Sequence, residues 1–325
     1  MNPFIVAEMS ANHLGSFTRA LAIVDAAADA GADAIKLQTW TPGRMCVSDY
    51  VLPSGPWKGQ RMRALYEQAH TPWEWHRPIF ERARSLGMIP FSAAFDRESV
   101  DFLELIGVDR HKVASFELTD TPLIAYMASK RKPMVVSTGM AATSEIDEAL
   151  AAIEHHGAGE VAVTLAHCTS AYPADASRAD LATMVWRNHC QRGLSDHTMG
   201  STVAVAATAL GATYIEKHLT LRRADGGADA GFSMEPEEFA AMASECRRAA
   251  AAIGVVRKGP IAGEHPEWRR SLWVVSPVRA GEMLSSDHVR SARPAFGVHP
   301  SFPVFGRRAA RDLVAGEPLT LECLQ

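Results

Sequence analysis

Short apolar runs separated by amphipathic stretches recur along this chain, and that alternation restricts the fold more than any other feature. The spacing predicts eight strands, at residues 4–9, 34–39, 88–92, 112–115, 134–138, 161–167, 193–197 and 214–218, with helical segments between them. Successive strand–helix units pair their strands in parallel through right-handed crossovers. Eight of them in series predict an α/β chain folded as a (β/α)8 TIM barrel, with a doubly wound open sheet as the alternative. The first helix, 16–31, carries Leu21, Val24 and Ala28 on one face and stops at Gly31. A later helix start is written in Thr71-Pro72-Trp73-Glu74, where Thr71 caps, Pro72 takes the first position and Glu74 closes a capping box. Residues 41–70 break the rhythm with a long loop bearing Pro, Gly and Trp, and loops of that length in compact domains are usually functional.

After the last predicted helix, 235–253, the pattern changes. A polar linker with Gly and Pro, 254–270, separates the predicted (β/α)8 barrel at 1–253 from a small β-rich module at 271–325. Ala280-Gly281-Glu282 and Ala315-Gly316-Glu317 recur 35 residues apart, which reads as one turn used twice. With 325 residues and 47% hydrophobic content, the chain can bury the core of one large domain and a small one. Formal charge is −4, from 33 Lys and Arg against 37 Asp and Glu, with no basic run, so nothing favours nucleic acid or an anionic membrane surface as partner. No apolar window is long enough to span a bilayer, and the amino terminus lacks a charged leader. Cys46, Cys168, Cys190, Cys246 and Cys323 are scattered without a C-x-x-C pair, which argues against a disulfide framework or zinc ribbon and for the reducing cytoplasm.

Residues 193–220 read as a βαβ unit whose two strands end in His197 and His218. In a barrel the carboxyl ends of all strands open on the face where chemistry is done, so these imidazoles emerge side by side there. A single histidine among the 13 is more often a hydrogen-bonded or surface residue; paired at adjacent strand ends, two neutral imidazoles suit a divalent metal. The other strand ends supply Glu8, Lys36, Lys112, Ser115, Glu117 and Ser137, followed by Ser170 and Tyr172. Lysines inside strands as apolar as AIKLQT and KVAS are costly unless paired, so Lys36 and Lys112 are expected to serve a ligand. Two ammonium groups and several hydroxyls fit a phosphate-bearing anion, and Glu8 and Glu117 beside them can carry protons.

The motifs IVAEMSANH, GADAIKLQTW, TPWEWH, KVASFELTDTPLI, STGM, HCTSAYPA, GLSDHTMG and EKHLT, in this order, resemble the sialic acid synthase family, most closely its pseudaminic acid synthase branch. RRSLWVV, AGE and RPAFGVHP resemble that family's carboxyl-terminal antifreeze-like (SAF) domain. The resemblance implies a TIM-barrel transferase that condenses phosphoenolpyruvate with an open-chain amino sugar, releasing phosphate and forming a nine-carbon 2-keto sugar acid. In the pseudaminic branch the acceptor is a 2,4-diacetamido-2,4,6-trideoxy-altrose; other branches make N-acetylneuraminate or legionaminate. By motif, His197 and His218 would bind Mn2+ or Mg2+, and Lys36, Lys112, Ser115, Ser137 and Ser195 would hold phosphoenolpyruvate. Glu8, Glu117, Ser170, Tyr172 and Asp229 would contact the sugar or carry protons, with Glu117 handling the proton of the attacking water. Arg293 resembles an arginine that reaches the sugar from the SAF domain of the opposite protomer, which implies a domain-exchanged homodimer.

Two positions depart from the family pattern. Ala93 stands where relatives carry a hydroxyl residue after strand three, so Ser92 could replace it only by turning inward. Ala228 replaces the proline that commonly precedes the aspartate corresponding to Asp229. Two other classes of function remain open on the residues: a metal-dependent aldolase that uses pyruvate, and a catalytically silent sugar-binding protein.

Overall fold

The computed structural model describes residues 2–185 and 190–325 and divides into two compact units, Met1–Gly254 and Val255–Gln325. In the first, β1 (Phe4–Glu8), β2 (Ala34–Thr39), β3 (Ile89–Ala94), β4 (His111–Val113), β5 (Met134–Ser137), β6 (Val163–Cys168), β7 (Gln191–Asp196) and β8 (Tyr214–His218) form a closed parallel barrel. The alternative of an open sheet is thereby removed, because β1 pairs with both β2 and β8. Around the barrel lie α1 (Phe17–Asp29), α2 (Pro42–Met45), α3 (Met62–Ala69), α4 (Trp73–Ser85), α5 (Arg97–Leu105), α6 (Thr121–Ala128), α7 (Thr143–His156), α8 (Thr202–Ala209) and α9 (Pro236–Ile253).

Several expectations shift in detail. The buried stripe of α1 is Ala20, Ile23, Val24 and Ala27, with Leu21 and Ala28 only partly buried beside it. Pro72 is the cap of α4 and not its first residue, because the Thr71 hydroxyl pairs with His13 Nε2 at 3.3 Å instead of with the helix. Strand β4 stops at Val113, and Ser115–Glu117 form a 3-10 turn. Among the described residues, β6 and β7 are joined through the 3-10 turns Ala176–Arg178 and Leu181–Val185, where a helix is expected from the pattern. The 41–70 stretch is not structureless: it holds α2, α3 and a bridge between Val51 and Arg61.

Strand alternation sets the stage for the site. Ile35 and Leu37 of β2 are wholly buried in the layer between barrel and helices, while Lys36 and Gln38 line the barrel mouth. Register then places functional side chains at one height: Glu8 lies beside Lys36 on one side and His218 on the other, and Ser195 lies between Cys168 and Glu216. On the outer face of β8, Lys217 donates to Asp196 at 2.7 Å and to the carbonyls of Thr198 and Gly200, which pins the turn that follows His197. Such a buried ion pair specifies geometry more than it stabilises.

The second unit pairs β9 (Ser271–Val274) and β10 (Val289–Ala292) antiparallel over a core that includes Leu272, Val274, Val278, Leu284 and Leu313. Its two AGE turns are built alike. Glu282 accepts from the backbone N–H of Arg279 at 2.9 Å and Glu317 from that of Val314 at 2.6 Å, with Gly281 and Gly316 both at positive φ. The RPAFGVHP turn is tied into the same unit: Ser271 Oγ and Trp273 Nε1 both donate to the Pro294 carbonyl. At Gly297 any Cβ would stand 2.3 Å from the Leu272 carbonyl oxygen, so the turn serves the unit's own packing. Cys46, Cys168, Cys246 and Cys323 are free thiols, and among the described residues no helix is long and apolar enough to cross a membrane.

Candidate active site

The carboxyl ends of the strands open into a cavity of about 410 Å3. Of the candidates named from sequence, Lys36, Lys112, Ser115, Glu117, Ser137, Tyr172, Ser195, His197, His218 and Asp229 line it. Glu8 and Ser170 do not. Glu8 is wholly buried behind Lys36, whose Nζ stands 2.5 Å from its Oε2, while Oε1 accepts from the Ser10 N–H at 3.0 Å. Ser170 lies behind Ser115, in contact with Gly139: a Cβ there would meet Ser170 Oγ at 2.1 Å and Ser115 Oγ at 2.8 Å. Arg293 is exposed and belongs to the second unit. Neither Ser92 nor Ala93 lines the cavity; Ser92 Oγ bonds Thr39 Oγ1 at 2.6 Å, and Thr39 in turn bonds His76 of α4, so Ser92 faces the helix layer.

At the centre is a residue that sequence reasoning missed. Glu216 receives the hydroxyls of Tyr214 and, at 3.2 Å, Ser195, and its Oε1 lies 3.4 Å from Lys36 Nζ and 3.6 Å from Lys112 Nζ. Period-two alternation was the available signal, since Tyr214, Glu216 and His218 share one face of β8, as Lys36 and Gln38 share one face of β2. Burial by itself would raise the Glu216 pKa, but Lys112 and Lys36 outweigh it and hold the carboxylate at about 2. Glu8 goes the other way. Burial dominates over Lys36, and the charge of Glu216 adds to it, so Glu8 is pushed up to about 7. Lys36 is held above its ordinary value because Glu216 and Glu8 overcome the penalty of burial, whereas burial prevails at Lys112 and lowers it. Two ammonium groups thus face the Glu216 carboxylate, with Glu8 raised by burial behind Lys36, an arrangement that suits an incoming anion.

Glu117 is nearly buried, its Oε2 has no hydrogen-bond partner, and burial, opposed by Lys112, pushes it up to about 7. Ser137 Oγ is likewise buried without a partner. Asp229 is held by the Ser10 hydroxyl, and burial raises it, while the Ala228 carbonyl accepts from Trp57 Nε1 at 2.8 Å. With alanine before it, Asp229 still lines the cavity.

The imidazoles of His197 and His218 lie with ring centroids 5.4 Å apart, under Phe232 and Tyr172. His197 Nδ1 donates to the Thr169 carbonyl at 3.1 Å, which leaves the Nε2 lone pair available to a metal, and His218 Nδ1 is buried without a hydrogen-bond partner. Burial keeps His218 neutral, the form that ligates a metal. The pair therefore fits a divalent ion. Among the described residues no group of three or more His, Cys, Asp or Glu side chains gathers to hold one alone, so water and substrate would complete the coordination.

With this geometry in place, comparison with known proteins is decisive. The NeuB family profile matches residues 23–258, and a SAF domain matches 269–325. The chain belongs to the NeuB family. This NeuB protein is 36% identical over 327 residues to the pseudaminic acid synthase of Campylobacter jejuni subsp. jejuni, spanning 97% of this chain and 95% of that one. It is 34% identical to the pseudaminic acid synthase of Helicobacter pylori, over 99% of this chain and 98% of the other. Among solved structures, the N-acetylneuraminic acid (sialic acid) synthetase of Leptospira borgpetersenii superposes with a TM-score of 0.73 at 29% identity, covering 81% of this chain and 88% of that one. The resemblance seen in the motifs thus holds for this NeuB chain across both its barrel and its SAF domain.

Proposed function

We propose that this NeuB protein condenses phosphoenolpyruvate with an open-chain 2,4-diacetamido-2,4,6-trideoxy-hexose of the altrose type, giving pseudaminic acid and inorganic phosphate. The observation that carries the reading is the convergence of Lys36 and Lys112 on Glu216 beside the paired imidazoles, in one cavity of a chain similar to pseudaminic acid synthases. In this reading Lys36, Lys112, Ser115, Ser137 and Ser195 hold phosphoenolpyruvate, and Ser170 backs Ser115. Glu216 keeps both ammonium groups charged and in register until the phosphate takes over as their counter-ion. The enol carbon of phosphoenolpyruvate attacks the aldehyde carbon; water adds to the neighbouring carbon, and the C–O bond to phosphate breaks.

Glu117, titrating near neutrality, takes the proton of that water. Glu8 holds Lys36 from behind through its Oε2, and Asp229 and Tyr172 orient the sugar. His197 and His218 would hold Mn2+ or Mg2+, which when bound polarises the aldehyde oxygen as a Lewis acid. We place the working divisions at 1–253, 254–270 and 271–325, in a cytoplasmic homodimer whose Arg293 completes the partner's site.

The test is a panel of acceptors: the altrose-type diacetamido sugar, the corresponding legionaminate precursor and N-acetylmannosamine, each with phosphoenolpyruvate and divalent metal, with and without chelator. Phosphate release matched by a nine-carbon 2-keto acid in the mass spectrum is expected, fastest with the first sugar. Turnover with pyruvate in place of phosphoenolpyruvate would make the protein an aldolase, and sugar binding without turnover would make it a silent homologue.

A further inference from the structure

Ser10 is a cavity-lining residue that the mechanism above does not use. It is buried and opens the 3-10 turn Ser10–His13 that follows β1. Its backbone is left-handed, with φ at +45°, a conformation that glycine adopts freely and a residue with a Cβ adopts only at a steric cost. Strain of this kind persists where the surrounding bonds over-determine it, and at Ser10 they act from two sides. The Ser10 N–H donates to Glu8 Oε1 at 3.0 Å, and Glu8 Oε2 in turn holds Lys36. The Ser10 hydroxyl donates to Asp229 Oδ2 in the loop after β8. Glycine would fit the backbone without strain, so the hydroxyl is what the serine adds.

Asp229 has little else to fix its side chain. The same turn holds the backbone of its loop through Asn12, whose Nδ2 donates to Ser233 Oγ at 2.9 Å, and that hydroxyl donates to the Asp229 carbonyl at 2.7 Å. The carboxylate itself receives, among the described residues, the Ser10 hydroxyl and, at 3.5 Å, the Ala11 N–H, both on Oδ2. Oδ1 is left to accept from a ligand. A serine hydroxyl has one proton, and at Ser10 it goes to Asp229, so the side chain acts on a bound sugar through that carboxylate. We infer that Ser10 is a positioning residue for the acceptor: its side chain orients Asp229 for the sugar, while its backbone N–H separately braces the Glu8–Lys36 pair on the phosphoenolpyruvate side. This deepens the function proposed above and rests on it.

The test compares Ser10→Ala and Ser10→Gly. Both remove the hydroxyl and keep the N–H, but only the first keeps a Cβ at positive φ. Rates are measured with divalent metal, varying the altrose-type diacetamido sugar and phosphoenolpyruvate in turn. Both variants are expected to lose kcat/KM for the sugar by a factor on the order of 10, the scale of one hydrogen bond to a charged group, with the KM for phosphoenolpyruvate within about twofold of wild type. Ser10→Gly should melt above Ser10→Ala, because it relieves the left-handed Cβ, and it carries the test if the alanine variant does not fold. In an Asp229→Asn background the loss of the hydroxyl should cost about twofold or less, since the two groups act as one unit. A glycine variant with wild-type kcat/KM for the sugar, a KM for phosphoenolpyruvate that rises as much as the sugar term falls, or full additivity with Asp229→Asn overturns the positioning role while leaving the reaction intact. No phosphate release from wild type with any acceptor of the panel overturns the proposed function and the positioning role with it.

Discussion

Glu216 and Glu117 both feel Lys112, yet they lie on opposite sides of an ordinary carboxylate: about 2 for Glu216, about 7 for Glu117. The difference is the second lysine and two hydroxyl donors at Glu216, against an unpartnered oxygen at Glu117. A base is active when deprotonated, so if Glu117 takes the water proton, kcat/KM should rise with pH through about 7 and fall away below it. Glu117→Gln should lower kcat by a factor of about 10² to 10⁴ and abolish that acid limb. A limb that survives in the variant would assign the titration to Glu8, which is raised to about the same value. Glu216→Gln removes the counter-ion from two buried ammonium groups, a loss on the order of 3–5 kcal/mol. Thermal melts should show a lower Tm for this variant, partly restored by inorganic phosphate; a phosphate-independent Tm would argue that the lysines do not face the anion.

At the scale of elements, the turn after β5 shows how backbone and side chains share a small space. Gly139 N–H donates to Ser115 Oγ at 3.2 Å, and Ser115 and Ser170 occupy the space that a Cβ at Gly139 would need. Gly139→Ala would force Ser170 and Ser115 apart, and we expect the KM for phosphoenolpyruvate to rise about tenfold or more while far-UV circular dichroism stays unchanged. An unaltered KM would show that Ser115 plays no part in holding the donor substrate. The barrel strands were legible because strands buried on both faces read as continuous apolar runs. Their ends were not: β4 stops at Val113, and Ser115–Glu117, which line the cavity, form a 3-10 turn. The start of α4 was misread for a related reason: Thr71 had a tertiary partner in His13 that no local rule reveals.

For the whole molecule, the decisive measurement concerns Arg293. The RPAFGVHP turn packs on its own unit through Pro294 and Gly297, and Arg293 within it is exposed. Co-refolding His197→Ala with Arg293→Ala chains should restore up to roughly a quarter of wild-type sites in a domain-exchanged dimer, since half the dimers are mixed and each has one whole site. Proven mixed dimers without recovered activity would defeat the exchange.

From its sequence alone this protein determined a barrel, a trailing β-rich domain, the imidazole pair and the two buried lysines. Each of these is written in local periodicity, or in a charged residue set where burial makes charge expensive. Only the tertiary structure decided that Glu216 joins the lysines, that Glu8 stands behind them, that Ser92 turns away, and that the 41–70 insert walls the cavity. Barrel closure is the physical reason: it brings residues more than 200 positions apart, Glu8 and His218 among them, into register, and separations of that kind leave no trace in a sequence window.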